Sequence, residues 1–193
     1  MFYKYAMAYY VNEYFLTKIS SDKAFVNIVL YMYAYTLYLF FDFAGYSNIA
    51  IGVGYLMGVK LPENFNKPFL ACNMKEFWDR WHMSLSKWFS DFIYGRFVLN
   101  TVRSGKIKNM KVASRLAYLV TMVTMGLWHG FSLHYLIYGL YEGVLLLLTD
   151  IWTSSKRYRG FKKKKGYVWI SRVVCFQFIA FGMLLFSGHY FFE

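Results

Sequence analysis

The chain has 193 residues, of which 58% are hydrophobic, 23% aromatic and only 17% charged, with 22 basic side chains against 10 acidic ones and two prolines. That balance excludes a disordered chain and argues against a water-soluble domain. Two cysteines, Cys72 and Cys175, are too few for a disulfide scaffold and lack metal-ligand spacing.

Runs free of Asp, Glu, Lys and Arg occupy 24–41, 43–59, 116–141 and 173–192. Each is near the about 20 residues that cross a bilayer, so the composition predicts an all-α polytopic membrane protein. In chain order, residues 1–23 read as the end of a helix, with Ser20, Ser21 and Asp22 as a cap for the next span. Met1-Phe2-Tyr3-Lys4 lacks the features of a signal peptide and reads as the interior of a longer membrane protein. Residues 24–41 are a first transmembrane helix, and 43–59, rich in small residues, are a second crossing or a re-entrant segment. Residues 60–75 carry Pro62 and Pro68 and read as an interfacial loop.

At 100° per residue, residues 76–97 form an amphipathic helix with Trp78, Trp81, Leu85, Trp88, Phe89 and Phe92 on one face and His82 beside them. Two basic stretches follow, 103–115 and 156–166. Between Asp91 and Glu142 every charged residue is basic, as it is between Asp150 and Glu193. Both stretches flank apolar spans, which favours cytoplasmic loops over nucleic-acid binding. Lys162 to Lys165 also suit anionic membrane lipids. Leu116 to Thr149 must then leave the cytoplasmic side and return, as a tight hairpin turning near Trp128, His129 and Gly130.

Ionisable groups inside such a domain begin as functional candidates, here Asp42, His82, His129, His134 and Glu142. Asp42 and Glu142 suit either chemistry or hydrogen bonds to neighbouring helices. His129 and His134 lie about 140° apart on a helix, which argues against a metal pair, and His189 reads as interfacial. Gly126 and Gly130 bracket His129, and Gly139 and Gly143 repeat that spacing on the return limb, so backbones can approach closely there. A buried imidazole is held neutral and base-competent, although a structural histidine meets the same description.

The segments Phe77-Trp78-Asp79-Arg80-Trp81-His82-Met83-Ser84-Leu85-Ser86-Lys87-Trp88-Phe89 and Met125-Gly126-Leu127-Trp128-His129-Gly130 carry a resemblance, together with Phe41 to Ser47 and Gly54 to Gly58. Over essentially its whole length the chain resembles the membrane-bound O-acyltransferase family, and within it the branch that moves D-alanine onto teichoic acids. The resemblance implies a helical bundle with re-entrant or interfacial helices. Because family members are about twice as long, it implies a partial domain, the C-terminal half. It also implies a multi-pass protein of a Gram-positive cell membrane.

Its implied chemistry passes D-alanine from a phosphopantetheine thioester on an acidic cytoplasmic carrier protein to a hydroxyl, with lipoteichoic acid as final acceptor and other D-alanylation proteins as partners. No cofactor or metal is implied for this chain itself. His129 matches the family's essential histidine and His82 the second one of bacterial members. Trp78, Arg80, Trp81, Ser84 and Trp128 are expected around the substrate. Val98, Leu99, Val102 and Arg103 lie between the amphipathic helix and a basic stretch, and are expected to form the carrier-docking surface. Ser90 stands where the family pattern has Arg, so any contact of that Arg is not carried over. Alternatives are an alginate-type polysaccharide O-acetyltransferase and an inactive membrane fragment or scaffold. No Gly-x-Ser-x-Gly elbow supports a serine acyl-enzyme.

Overall fold

A computed structural model describes residues 1–190. The last residues of the fourth apolar run therefore lie outside the described range. A π-helical segment, Tyr3–Ala8, leads into helix α1 (Tyr9–Tyr14). The remaining helices are α2 (Phe25–Leu56), α3 (Met74–Trp78), α4 (Met83–Phe89), α5 (Gly95–Arg103), α6 (Met110–His129), α7 (Leu133–Ser154), α8 (Lys156–Phe161) and α9 (Tyr167–Ser187). Three of them, α2, α7 and α9, are long and apolar enough to cross a membrane.

The first two apolar runs are one helix. Helix α2 continues through Asp42 for 32 residues, because that carboxylate is paired with Lys4 from the N-terminal segment. Close approach makes the pair possible. A Cβ added to Gly45, less than one turn from Asp42, would stand 2.5 Å from the Lys4 backbone nitrogen. The Ser20 to Asp22 cap is looser than expected. Asp22 accepts from the Asn27 side chain and, at 3.4 Å, from the Ala24 amide, while the N-cap residue of α2 is Ala24.

Helices α6 and α7 form the expected hairpin, turning at Gly130–Ser132. Apolarity gives little drive for helix pairing in lipid, so the small residues at this seam set its closeness. Gly126 faces the Tyr135 carbonyl. A Cβ on Gly139 would stand 2.5 Å from the Met122 carbonyl oxygen, and one on Gly143 3.0 Å from the Leu119 Cα. Arg115 and Asp150 close the open end with a 2.9 Å ion pair. Both basic stretches therefore sit at that end of the hairpin, and the histidine turn sits at the other. The stretch 103–115 is a loop only between α5 and α6, since residues 110–115 are already helical. Likewise 156–166 begins with α8 rather than as a loop throughout.

The expected amphipathic helix over 76–97 is broken. Helix α3 stops at Trp78, and His82 takes a left-handed backbone, φ +45°, before α4 begins. A long-range contact causes the break: Phe65 and Trp81 form an isolated antiparallel bridge. The Asn66 amide donates to the Arg80 carbonyl and the Met83 amide to the Asn64 carbonyl, both at 3.0 Å. From Met83 the helix then runs to Arg103 through a π-helical turn at Ser90–Tyr94. Its aromatic face divides, with Phe89 buried and Trp88 and Phe92 exposed. The core lies where α3 meets α6, α7 and α9, around Phe77, Met125, Ile179 and Met183.

Candidate active site

His129 is the last residue of α6. Gly130 ends the helix there, so the imidazole stands at a backbone break instead of inside a continuous helix wall. Phe186 from α9 packs edge-on at 5.0 Å, Trp128 at 4.8 Å and Tyr135 at 5.9 Å between ring centroids. The left-handed backbone at position 82 turns the other imidazole toward α2, where Phe43 meets it at 4.6 Å. Burial pulls the His82 ring down to about 4, and nearby His129 adds to the shift. The neutral imidazole therefore prevails at physiological pH.

Both rings line one cavity of about 150 Å³, with Phe43, Trp81, Tyr138 and Met183 among its other walls. A second, more open pocket of about 500 Å³ lies alongside it. Tyr118, Thr121, Met122 and Met125 line that pocket from α6, and the exposed Lys75, Asp79 and Lys87 stand at its rim. Trp78 and Met125 border both spaces. The α6 positions are spaced at helical intervals, so the pocket follows one face of α6 for about 10 Å, from Tyr118 to Met125, and ends about one turn before His129.

The expected substrate residues separate into three groups. Trp78 and Trp81 are walls of the histidine cavity, Trp81 stacking on Phe77 at 5.5 Å. Trp128 is 58% exposed and meets the His129 ring edge-on from the outside of the cavity. Arg80 and Ser84 point elsewhere. Arg80 pairs with Glu76 at 2.6 Å, and the Ser84 hydroxyl donates to Asn64 Oδ1, also at 2.6 Å. Their partners bind them to the 60–82 fold, so their part in a site is to shape the loop that carries His82.

The docking residues are divided as well. Val98 is 8% exposed and packs on Ala113 and Ala117 of α6, with Val102 partly buried beside it. That inward placement does not suit a docking contact. Leu99 and Arg103 are exposed.

Among the other candidates, His134 packs against Gly188, His189 stacks on Tyr31 at 4.5 Å, and Asp42 is held by Lys4. Among the described residues no three His, Cys, Asp or Glu side chains converge as a metal site. Sequence reasoning overlooked Phe43 and Tyr138 as cavity walls and Asn64 as the residue that fastens the 82–84 turn. No local signal could have found them, because each reaches the site through a tertiary contact. Chemically, the cavity offers two imidazoles in a mainly aromatic enclosure, a setting in which one can take a proton from a hydroxyl and the other can hydrogen-bond a carbonyl oxygen.

Known proteins resemble this chain over most of its length. A teichoic acid D-alanyltransferase of Bacillus subtilis (strain 168) is 44% identical over 190 residues, covering 96% of this chain and 48% of the relative. Its counterpart from Streptococcus thermophilus is 42% identical, covering 81% of this chain and 40% of the relative. A probable alginate O-acetylase of Pseudomonas syringae is 42% identical over 115 residues, covering 60% of this chain and 21% of that protein. The chain thus spans about half the length or less of these relatives. The model of the MBOAT, membrane-bound O-acyltransferase, family matches residues 1–192, and the chain belongs to that family.

Proposed function

We propose that the full-length protein transfers D-alanine from a phosphopantetheine thioester, presented by an acidic carrier protein, to a hydroxyl on the way to lipoteichoic acid. The observation that carries this reading is that His82 and His129, from separate elements, share one cavity bordered by the pocket along α6. In this reading the basic end of the α6–α7 hairpin faces the cytoplasm of a Gram-positive cell, as the charge asymmetry favours. The carrier docks at that end and its arm enters the α6 pocket.

The hydroxyl oxygen attacks the thioester carbonyl while His129 takes the hydroxyl proton. The tetrahedral adduct then collapses, expelling the thiolate, which receives that proton, and the D-alanyl ester remains. His82 stands across the cavity to hydrogen-bond the carbonyl oxygen as charge develops on it. The arm and its thioester belong to the carrier, and this chain's own residues supply the enclosure and the proton transfer. Relatives named as D-alanyltransferases match 81–96% of the chain, whereas those named as alginate O-acetylases match 60% of it, which favours D-alanine as the acyl group.

The test is His129→Ala in the full-length protein, scored by D-alanine ester content of the cell wall. Loss of the esters, with the protein still present in the membrane, is expected. Normal ester levels would remove the general-base assignment.

A further inference from the structure

Glu142 lies midway along α7 and is 1% exposed. A carboxylate so placed is costly unless its oxygens are engaged. Oε2 accepts a 3.1 Å hydrogen bond from the Trp78 indole N–H at the end of α3, 64 residues earlier. The other oxygen faces α9 at Gly182, where an added Cβ would stand 2.5 Å from Oε1. The glycine thus leaves the notch in which the carboxylate sits. Trp78, in turn, borders both the α6 pocket and the histidine cavity. The carboxylate is behind the indole, and the indole is the surface that meets whatever passes.

We infer that Glu142 is a positioning residue, holding the Trp78 indole as the partition between the α6 pocket and the histidine cavity so that the thioester is presented to His129 in attacking geometry. This rests on the acyl-transfer reading above. A tryptophan freed of its N–H partner can rotate about its side-chain bonds, and the passage it borders changes width. Only the arm enters the pocket that Trp78 lines, whereas the body of the carrier docks outside it, so most of the carrier's binding is insensitive to that rotation. The signature is therefore a loss in kcat with little change in KM for the D-alanyl carrier, because misplacement of reacting atoms by about 1 Å costs on the order of a hundredfold in rate.

The experiment compares full-length Glu142→Leu, Glu142→Gln, Trp78→Phe and Gly182→Ala, each normalised to monodisperse folded protein, with His129→Ala as control. Glu142→Leu and Trp78→Phe are expected to lower kcat by roughly tenfold to a hundredfold. Their combination is expected to be no worse than either, because both break the same bond. Gln keeps an acceptor oxygen, so Glu142→Gln restores most of the turnover. Gly182→Ala, which displaces the carboxylate, falls with the leucine variant.

A purely structural Glu142 would reduce the yield of folded protein while leaving kcat per folded molecule unchanged, and that result overturns the inference. So does a Trp78→Phe enzyme with wild-type kcat, which keeps the test decisive even if Glu142→Leu does not fold. If His129→Ala retains transfer, the acyl-transfer reading fails independently of these variants. If His129→Ala is inactive while Glu142→Leu turns over normally, only the positioning role fails.

Discussion

At the scale of single residues, His82 shows how chemistry and backbone are joined. Its left-handed φ of +45° costs a residue with a Cβ on the order of 1 kcal/mol, which glycine would not incur in that conformation. Glycine also has more freedom to lose on folding, by a similar amount. The two backbone effects nearly cancel, so the change in thermal stability of His82→Gly is expected to report mainly the lost packing of the ring on Phe43, about 1–3 kcal/mol. Transfer by the full-length protein is expected to fall by roughly tenfold or more, as when a hydrogen-bond donor to a developing oxyanion is lost. An assay showing full transfer by the glycine variant would take His82 out of the reaction. The identity of this histidine was legible in the sequence, through the Trp-His-Met-Ser pattern and its spacing to Trp128-His129. Its orientation was not. A helical wheel assumes a continuous helix, and the break at Asp79–His82 comes from pairing with Phe65, far away in the chain.

At the scale of elements, the hairpin is where sequence and structure agree best. Apolar length placed both limbs and the glycine spacing marked the seam between them. The seam makes a contrasting prediction. Gly139→Ala drives a methyl toward the Met122 carbonyl and is expected to cost about 1–3 kcal/mol, read as a lower unfolding temperature in detergent. Gly160→Ala in α8, where an added Cβ meets nothing within 4 Å, is expected to hold or raise that temperature by helix propensity alone. Equal effects at both sites would mean that the α6–α7 approach does not limit stability. The single long α2 was less legible. Asp42 appeared to divide two spans because a charge inside a membrane helix is normally excluded, yet Lys4, brought over by Gly45, supplies the partner that keeps it there.

At the scale of the whole molecule, charge separates the two ends of the hairpin, with basic residues gathered opposite the histidine turn. Position along α5 could not distinguish inward from outward residues, because α6, which covers Val98, approaches only after the chain reverses. The burial of Val98 against α6 thus makes Val98→Asp a folding variant. Leu99, 49% exposed, is the outward residue that tests docking. In the full-length protein, Leu99→Asp is expected to reduce recovery of the acidic carrier on co-purification while preserving membrane abundance, and added salt is expected to weaken wild-type recovery in the same assay. Undiminished recovery by Leu99→Asp would place the carrier elsewhere.

Delivery of the thioester to His129, as proposed, requires the arm to travel along the α6 pocket. Met125 borders both that pocket and the histidine cavity, so a thiol placed there lies on the route. In full-length protein with Cys72 and Cys175 replaced by serine, Met125→Cys is expected to form a mixed disulfide with a carrier whose phosphopantetheine thiol is first converted to its 2-pyridyl disulfide, the cysteine thiolate attacking the arm sulfur and releasing pyridine-2-thione. Leu148→Cys, on the other side of α7, is expected to form none. Equal trapping at both positions, or none at Met125→Cys while the carrier still binds, would contradict the route and with it the proposed delivery to His129.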